Sequence, residues 1–97
     1  MIVSDAFAGK TYAVLGLARS GLATVETLLA SGARVVAWDS QEAARAKVEG
    51  RAELADPLEI DLTGFDGVVV SPGVPLNRHP IAQRARDAGV PVIGDIE

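Results

Sequence analysis

The residues best suited to binding a ligand form a glycine-rich loop at residues 16–21, with the sequence GLARSG. Its spacing resembles the phosphate-binding fingerprint G-x-G-x-x-G, with Ala18 in place of the middle glycine. Gly16 permits a tight turn after a strand, and Gly21 permits close packing of the following helix on the sheet. Backbone N–H groups at the start of that helix would point at an anion beyond the strand ends. The loop therefore predicts a phosphate site.

Side chains in this loop can add donors to the same anion. Arg19 brings a guanidinium and Ser20 a hydroxyl, beside the backbone groups of Leu17, Ala18 and Gly21. The methyl group of Ala18 stands where a dinucleotide pyrophosphate approaches the backbone closely, which disfavours NAD and favours a differently seated phosphate. A plain tight turn is the alternative interpretation of such a loop taken alone. The flanking strand and helix favour phosphate binding.

Two further loops are expected at the same edge of the fold. Asp39 ends a second strand, at the position where dinucleotide folds hold an acid for the ribose hydroxyls. Its alternative role is helix capping, but the adjacent Ser40 is a good N-cap, which would leave Asp39 facing a ligand. Ser71, Pro72 and Gly73 follow another strand and, taken alone, indicate a rigid turn. Neighbouring parallel strands would bring all three loops to one crevice, where open α/β sheets bind ligands.

The elements that must position these residues alternate between strand and helix. Apolar runs predict strands at Thr11–Leu15, Arg34–Trp38, Gly67–Val70 and 91–93, with a weaker one within 51–63. Apolar residues at helical spacing predict helices at 22–30, 41–49 and 80–88. This alternation predicts an α/β fold: a Rossmann-like parallel sheet of about five strands in the order 3-2-1-4-5, with helices on both faces.

The helical patterns also predict which side chains are buried and where the helices begin. In the first helix, Thr24 and Thr27 are expected on the side opposite the sheet. Ser40 is expected to cap the second helix, and Pro80 suits the first position of the third. The apolar stripe expected to face the sheet in the first helix consists of Leu22, Val25, Leu28 and Leu29.

The composition narrows the class of protein. The chain has 97 residues, which predicts one small domain, with 48% hydrophobic and 23% charged residues. Its net charge of −4, without a cluster of Lys and Arg, argues against a nucleic-acid partner. The absence of cysteine excludes disulfides and thiol chemistry. No apolar stretch is long enough to span a membrane, and the start does not resemble a signal peptide. The chain stops directly after an apolar run, which we interpret as a cut within a longer protein.

Five segments together resemble a known family: GLARSGLA at 16–23, VVAWD at 35–39, VVSPGVP at 69–75, HPI at 79–81 and AGVPVIGDIE at 88–97. They resemble the N-terminal domain of the Mur ligases that add D-glutamate to the peptidoglycan precursor. The similarity covers nearly the whole chain, from about Lys10 to Glu97, and SPGVP followed by GDIE is its most specific part.

The resemblance implies that residues 1–97 are a single N-terminal domain, which binds the UDP moiety of UDP-N-acetylmuramoyl-L-alanine. A central domain that binds ATP and Mg²⁺, and a C-terminal domain that helps to bind D-glutamate, would lie outside this chain. In the family, ATP phosphorylates the substrate carboxylate and the amine of D-glutamate attacks the acyl phosphate. The sequence contains no G-x-x-x-x-G-K-[ST] motif, so we expect no catalytic residue, metal or cofactor here. The resemblance also implies a cytoplasmic enzyme, and we expect a monomer.

The family motif assigns roles to matching positions. Arg19 and Ser20 match the positions that contact the diphosphate, and Asp39 and Ser40 match those that hold the uracil. The SPG loop, which ends at Gly73, matches the segment that closes on the uridine.

Other positions carry weaker expectations. Gln41 departs from the family, because some members have a basic residue there, close to the uracil. His79 is expected to cap or fix a loop, and Asp95 and Glu97 to lead into the next domain. Two alternatives remain open: the sibling ligase that adds L-alanine, whose loop is richer in glycine, and a non-enzymatic NAD-binding Rossmann module. Ligand preference would separate them.

Overall fold

Strands and helices alternate along the chain in the computed structural model, which describes residues 5–71 and 80–93. Pro72, Gly73, His79, Asp95 and Glu97 lie outside the described residues. A short 3-10 helix, Asp5–Phe7, precedes the first strand. The other elements are β1 (Thr11–Leu15), α1 (Arg19–Ala30), β2 (Arg34–Trp38), α2 (Glu42–Ala46), β3 (Glu53–Leu54), β4 (Gly67–Val70), α3 (Ile81–Asp87) and β5 (Val92–Ile93).

The five strands form one parallel sheet in the order β3-β2-β1-β4-β5, which confirms the predicted Rossmann-like α/β fold. Leu15 at the end of β1 is level with Trp38 at the end of β2 and Val70 at the end of β4. The three central strands therefore stop together, and the segments that follow them meet at one edge of the sheet.

Each face of the sheet has its own apolar layer, because alternate residues of a strand point to opposite faces. One layer joins α1 to the sheet and contains Tyr12, Val14, Leu17, Val25, Leu28, Ala33, Val35, Ala37, Val48 and Val69. The other joins α3 to the sheet and contains Ala13, Leu15, Leu62, Val68, Val70, Ile81, Ala85 and Val90. Helices thus cover both faces, as predicted, and the core is almost entirely aliphatic.

Helix α1 differs from its prediction in two respects. It begins at Arg19 rather than at residue 22, so Ser20 and Gly21 belong to its first turn. The prediction that Thr24 and Thr27 face away from the sheet is wrong, since they are only 1% and 3% exposed. A helix that packs on the sheet across two neighbouring strands buries a wider face than a single apolar stripe. Thr24 and Thr27 fall within that wider face. Gly32 ends the helix with a positive φ of 83°.

The second and third helices also differ in detail. Helix α2 is shorter than the predicted 41–49, and Ser40 does not cap it: Gln41 is the residue before the helix and makes no capping bond through its side chain. Turns continue from α2 to Gly50. Helix α3 begins at Ile81, one residue after Pro80. The weak strand expected within 51–63 is present as β3. None of the helices in the described ranges is long and apolar enough to cross a membrane.

Candidate functional site

The candidate site lies at the edge where β1, β2 and β4 end. The sheet pairing continues one residue beyond the strands, because the Gly16 N–H donates to the Trp38 carbonyl at 2.8 Å and the Ser71 N–H donates to the Leu15 carbonyl at 3.0 Å. Gly16 adopts a φ of 93°, which favours glycine. The structure therefore brings the glycine loop, the end of β2 and Ser71 together, as the sequence predicted.

The first turn of α1 packs directly on the loop. A methyl group built on Gly21 would lie 1.8 Å from the Gly16 carbonyl oxygen and 2.9 Å from Ser71 Oγ. The Ser71 hydroxyl donates to the same Gly16 carbonyl at 2.9 Å. Ser20, Gly21, Val70 and Ser71 line a narrow crevice here that leaves no room for a water molecule. Gly21 is thus required for close approach of the helix to the strand ends.

The amino end of α1 carries positive potential that no group among the described residues neutralises. Ala18 occupies the cap position in an extended conformation and offers no side-chain acceptor, and the first turn contains no acidic residue. Within the described ranges, the backbone N–H groups of Arg19, Ser20 and Gly21 donate to no protein acceptor; the first internal bond of the helix runs from the Leu22 N–H to the Ala18 carbonyl.

Arg19 adds a full positive charge to this helix end. Cations are unfavourable near a helix N-terminus, where the macrodipole is positive. Its side chain is exposed, as is Ala18, while Ser20 is half-buried. Three local preferences for a helix start are therefore violated together: a capping side chain, an acidic first turn and the absence of a cation. Such conflicts mark functional sites, and an anion would resolve this one.

Asp39 joins the end of β2 to the glycine loop. Its carboxylate accepts the Leu17 N–H at 2.8 Å and the Gln41 N–H at 2.9 Å. The expectation that Ser40 caps the next helix is not met, and the Asp39 carboxylate instead accepts a backbone N–H in this turn. Ser40 is exposed at this edge. The Leu17 side chain is buried in the core, so Leu17 shapes the loop from within.

Two residues beside Asp39, Trp38 and Arg45, were not predicted from the sequence as part of the site. The Arg45 guanidinium lies 4.4 Å above the centre of the Trp38 ring and donates to the Asp39 carbonyl at 2.8 Å. Arg45 follows Gln41 by one helical turn, and this spacing is the signal that could have identified it. The pair places an oriented cation next to the nucleoside end of the predicted site. Of the predicted residues, only Pro72 and Gly73 cannot be placed, since they lie outside the described ranges.

Among the residues that the structure describes, groups suited to acid–base or metal chemistry do not converge at this edge. The pKa of Glu26 is lowered by the hydrogen bond from Arg51, and that of Asp61 by hydrogen bonds from Thr63. Both carboxylates pair with neighbours away from the glycine loop. Across residues 5–71 and 80–93, no three His, Cys, Asp or Glu side chains form a cluster that could hold a metal ion. The arrangement is suited to holding an anion.

The fold and the site define the chain as a Rossmann-like α/β domain, with an anion-attracting helix end at the point where the strand order reverses. The model of the family described as "Mur ligase MurD-like, N-terminal domain" matches residues 10–94. The chain therefore belongs to the MurD-like Mur ligases, as their N-terminal domain. This membership supports the D-glutamate branch over the sibling ligase and the NAD-binding module.

Several relatives share extensive identity with the chain. It is 75% identical over 97 residues to UDP-N-acetylmuramoylalanine–D-glutamate ligase of Novosphingobium aromaticivorans, with 100% of the chain and 22% of the relative aligned. The corresponding ligase of Sphingopyxis alaskensis is 72% identical over 98 residues, covering 100% of the chain and 23% of the relative. That of Zymomonas mobilis is 51% identical over 106 residues, covering 100% and 24%. The chain thus spans about a fifth to a quarter of the length of these relatives.

Proposed function

We propose that this chain binds the UDP moiety of UDP-N-acetylmuramoyl-L-alanine, as the N-terminal domain of an ATP-dependent cytoplasmic ligase that adds D-glutamate during peptidoglycan precursor synthesis. The observation that carries the proposal is the amino end of α1, which has no side-chain cap, has Arg19 in its first turn and has backbone donors without an acceptor in the described part of the chain. A diphosphate supplies the negative charge and the acceptor oxygens that this helix end lacks.

The phosphate end of the proposed site consists of residues 18–21. The backbone N–H groups of Arg19, Ser20 and Gly21 would donate to diphosphate oxygens, and the Ser20 hydroxyl and the Arg19 guanidinium would add two side-chain donors. Hydrogen bonds to charged groups contribute about 1.5–3 kcal/mol each. Gly21 allows this turn to lie directly against the strand ends, so the donors lie at the edge where the central strands end.

The nucleoside end of the proposed site is at the end of β2. Asp39 and Ser40 follow that strand directly, and the Arg45–Trp38 pair lies beside them. On the other side, the Ser71 N–H donates to the Leu15 carbonyl. Pro72 and Gly73, which follow Ser71 in the sequence, would contact the uridine. A ligand that extends from α1 to β2 crosses the switch point of the sheet, which is where nucleotides bind in such folds.

We propose that this domain binds the substrate and that the other domains of the ligase form the amide bond. The residues described here hold and orient the substrate through its diphosphate and nucleoside. In the complete enzyme, ATP and Mg²⁺ would activate the substrate carboxylate, and D-glutamate would attack it, in domains beyond this one. We therefore propose that the 97-residue chain binds substrate without turnover.

Thermal unfolding with different nucleotides tests this proposal. A ligand at about 100 times its Kd stabilises a protein by about 2.7 kcal/mol. For a domain of this size, that corresponds to a rise in Tm of about 10–20 °C. We expect UDP and UDP-N-acetylmuramoyl-L-alanine to raise the Tm by this amount. ADP, which offers the diphosphate without the uracil, should raise it less, and NAD should leave it unchanged. Stabilisation by NAD alone would contradict the proposal and favour the NAD-binding alternative.

A spectroscopic measurement can locate the bound nucleotide. Trp38 is the one tryptophan in the sequence, and it lies under Arg45 at the nucleoside end. We expect UDP to change its fluorescence with the same concentration dependence as the Tm. A Tm shift by UDP with unaltered Trp38 emission would argue against binding at this edge.

A further inference from the structure

We propose that Asp39 is a positioning residue, which holds the phosphate loop and the turn after β2 in a fixed relation and influences the ligand through that loop. The identity of the ligand rests on the proposed function, whereas the bracing of the loop does not. In dinucleotide folds an acid at this position contacts the ribose directly. The geometry points to a different role here.

Both oxygens of the Asp39 carboxylate already accept backbone donors. Oδ2 accepts the Leu17 N–H at 2.8 Å, across 22 residues of sequence, and Oδ1 accepts the Gln41 N–H at 2.9 Å. Bonds between an ionised carboxylate and a backbone N–H are short and stronger than neutral ones. The carboxylate therefore cannot rotate towards a ligand without giving up a bond on each side.

The donor on the loop is itself fixed in place. The Leu17 side chain is 1% exposed within the core layer beneath α1, and its N–H points towards Asp39. The N–H groups of the first helical turn, which have no acceptor within residues 5–71 and 80–93, begin two residues later, at Arg19. A displacement of Leu17 would therefore be transmitted directly to the backbone donors proposed to hold the diphosphate.

The main chain of Asp39 is held as well. Arg45 donates to its carbonyl at 2.8 Å, and the Arg45 guanidinium is in turn oriented by the Trp38 ring. Asp39 is thus tied to the glycine loop, to the turn after β2 and to α2. These contacts fix the distance between the phosphate end and the nucleoside end of the site before any ligand arrives.

Replacing Asp39 with Asn separates positioning from direct contact. The amide keeps one oxygen, which can accept one of the two backbone N–H groups. Its N–H₂ group then faces the other backbone N–H, so the second hydrogen bond is replaced by a contact between two donors. Asp66→Asn is the matched control, because Asp66 accepts the Thr11 N–H at 2.9 Å at the other end of β1. Binding of UDP and of inorganic pyrophosphate to the 97-residue chain and both variants would be measured by calorimetry.

We expect Asp39→Asn to weaken UDP and pyrophosphate by the same factor, about tenfold, and Asp66→Asn to change neither. A tenfold change in Kd corresponds to 1.4 kcal/mol, which is about the contribution of one hydrogen bond to a charged group. A loss of affinity for UDP with unchanged pyrophosphate binding would overturn the proposal, since Asp39 would then contact the nucleoside. Unchanged binding of both ligands would overturn it as well.

NMR of the ligand-free wild-type chain tests the contact between Asp39 and the loop directly. This test depends neither on ligand binding nor on the folding of a variant. Through-bond NMR coupling should be detected between the Leu17 amide nitrogen and the Asp39 carboxyl carbon. Its absence, in a spectrum that shows the matching Thr11–Asp66 coupling, would overturn the bracing role. If the wild-type chain binds neither UDP nor pyrophosphate, the proposed function fails, and this coupling still decides the role of Asp39.

Discussion

Replacing Gly21 with Ala has two opposite effects on stability, one from helix propensity and one from packing. Gly21 lies in the first turn of α1, and Ala is favoured over Gly in helix interiors by about 1 kcal/mol. The structure predicts the opposite sign. The added methyl group would lie 1.8 Å from the Gly16 carbonyl oxygen, whereas contacts of Cβ atoms essentially never fall below 3.0 Å. The helix and the loop would therefore have to separate by at least 1.2 Å, the difference between these two distances.

The surroundings of Gly16 determine the size of the effect. Its N–H is bonded to the Trp38 carbonyl and its own carbonyl to Ser71 Oγ, so it cannot yield without breaking contacts at the strand ends. Overpacking costs about 1–3 kcal/mol, and the loss of one hydrogen bond adds about 1 kcal/mol. We expect Gly21→Ala to lower the free energy of unfolding by about 3 kcal/mol, and the Tm by about 10–25 °C.

Circular dichroism during thermal and urea unfolding measures this change. Gly50→Ala is the control, because Gly50 has a φ of 83° and no atom within 4 Å of an added methyl group. It reports backbone strain without a steric clash, with an expected cost of about 1–2 kcal/mol. A Gly21→Ala variant that unfolds at or above the wild-type temperature would refute the packing argument.

Two further predictions concern charge. Arg19→Ala should weaken UDP binding by about 1.5–3 kcal/mol. It should also raise the Tm of the free chain slightly, because it removes a cation from the positive end of α1. Arg86→Ala, at an exposed position of α3, is the control, and normal UDP binding by Arg19→Ala would disprove the assignment. Burial, with a smaller contribution from Asp66, raises the pKa of Tyr12. The neutral phenol is therefore favoured by folding, so its contribution to stability is complete below pH 10 and is lost as the pH rises through the higher pKa of the folded state. Absorbance at about 295 nm follows this single tyrosine; a midpoint at the ordinary value of about 10 would contradict the prediction.

The order of the strands could be predicted because the three central strands are unambiguous apolar runs in the sequence. Thr11–Leu15, Arg34–Trp38 and Gly67–Val70 are apolar runs, and their bounds agree with the structure. Helices between parallel strands and right-handed crossovers leave few arrangements. The convergence of the glycine loop, Asp39 and Ser71 then follows from strand order alone.

Contacts across the sequence could not be predicted in the same way. A helical pattern treats Thr24 and Thr27 as polar, but their burial depends on how closely α1 approaches two strands. The role of Asp39 depends on a partner 22 residues earlier in the chain, and no local pattern identifies that partner. Ser40 has the best local preference for a cap, yet the neighbouring carboxylate takes the available N–H group because it already lies within hydrogen-bonding distance.

The two aspartates that bind the ends of β1 have a consequence for how the sheet aligns. A slip of two residues between parallel strands keeps every side chain on its own face, and the middle positions of the central strands are occupied by Ala and Val. Apolar packing alone therefore discriminates poorly against such a slip. Asp66 on Thr11 and Asp39 on Leu17 match only in one alignment. These two carboxylates therefore favour one register of β1 against its neighbours. Polar groups beyond its two ends specify an alignment that the aliphatic interior leaves ambiguous.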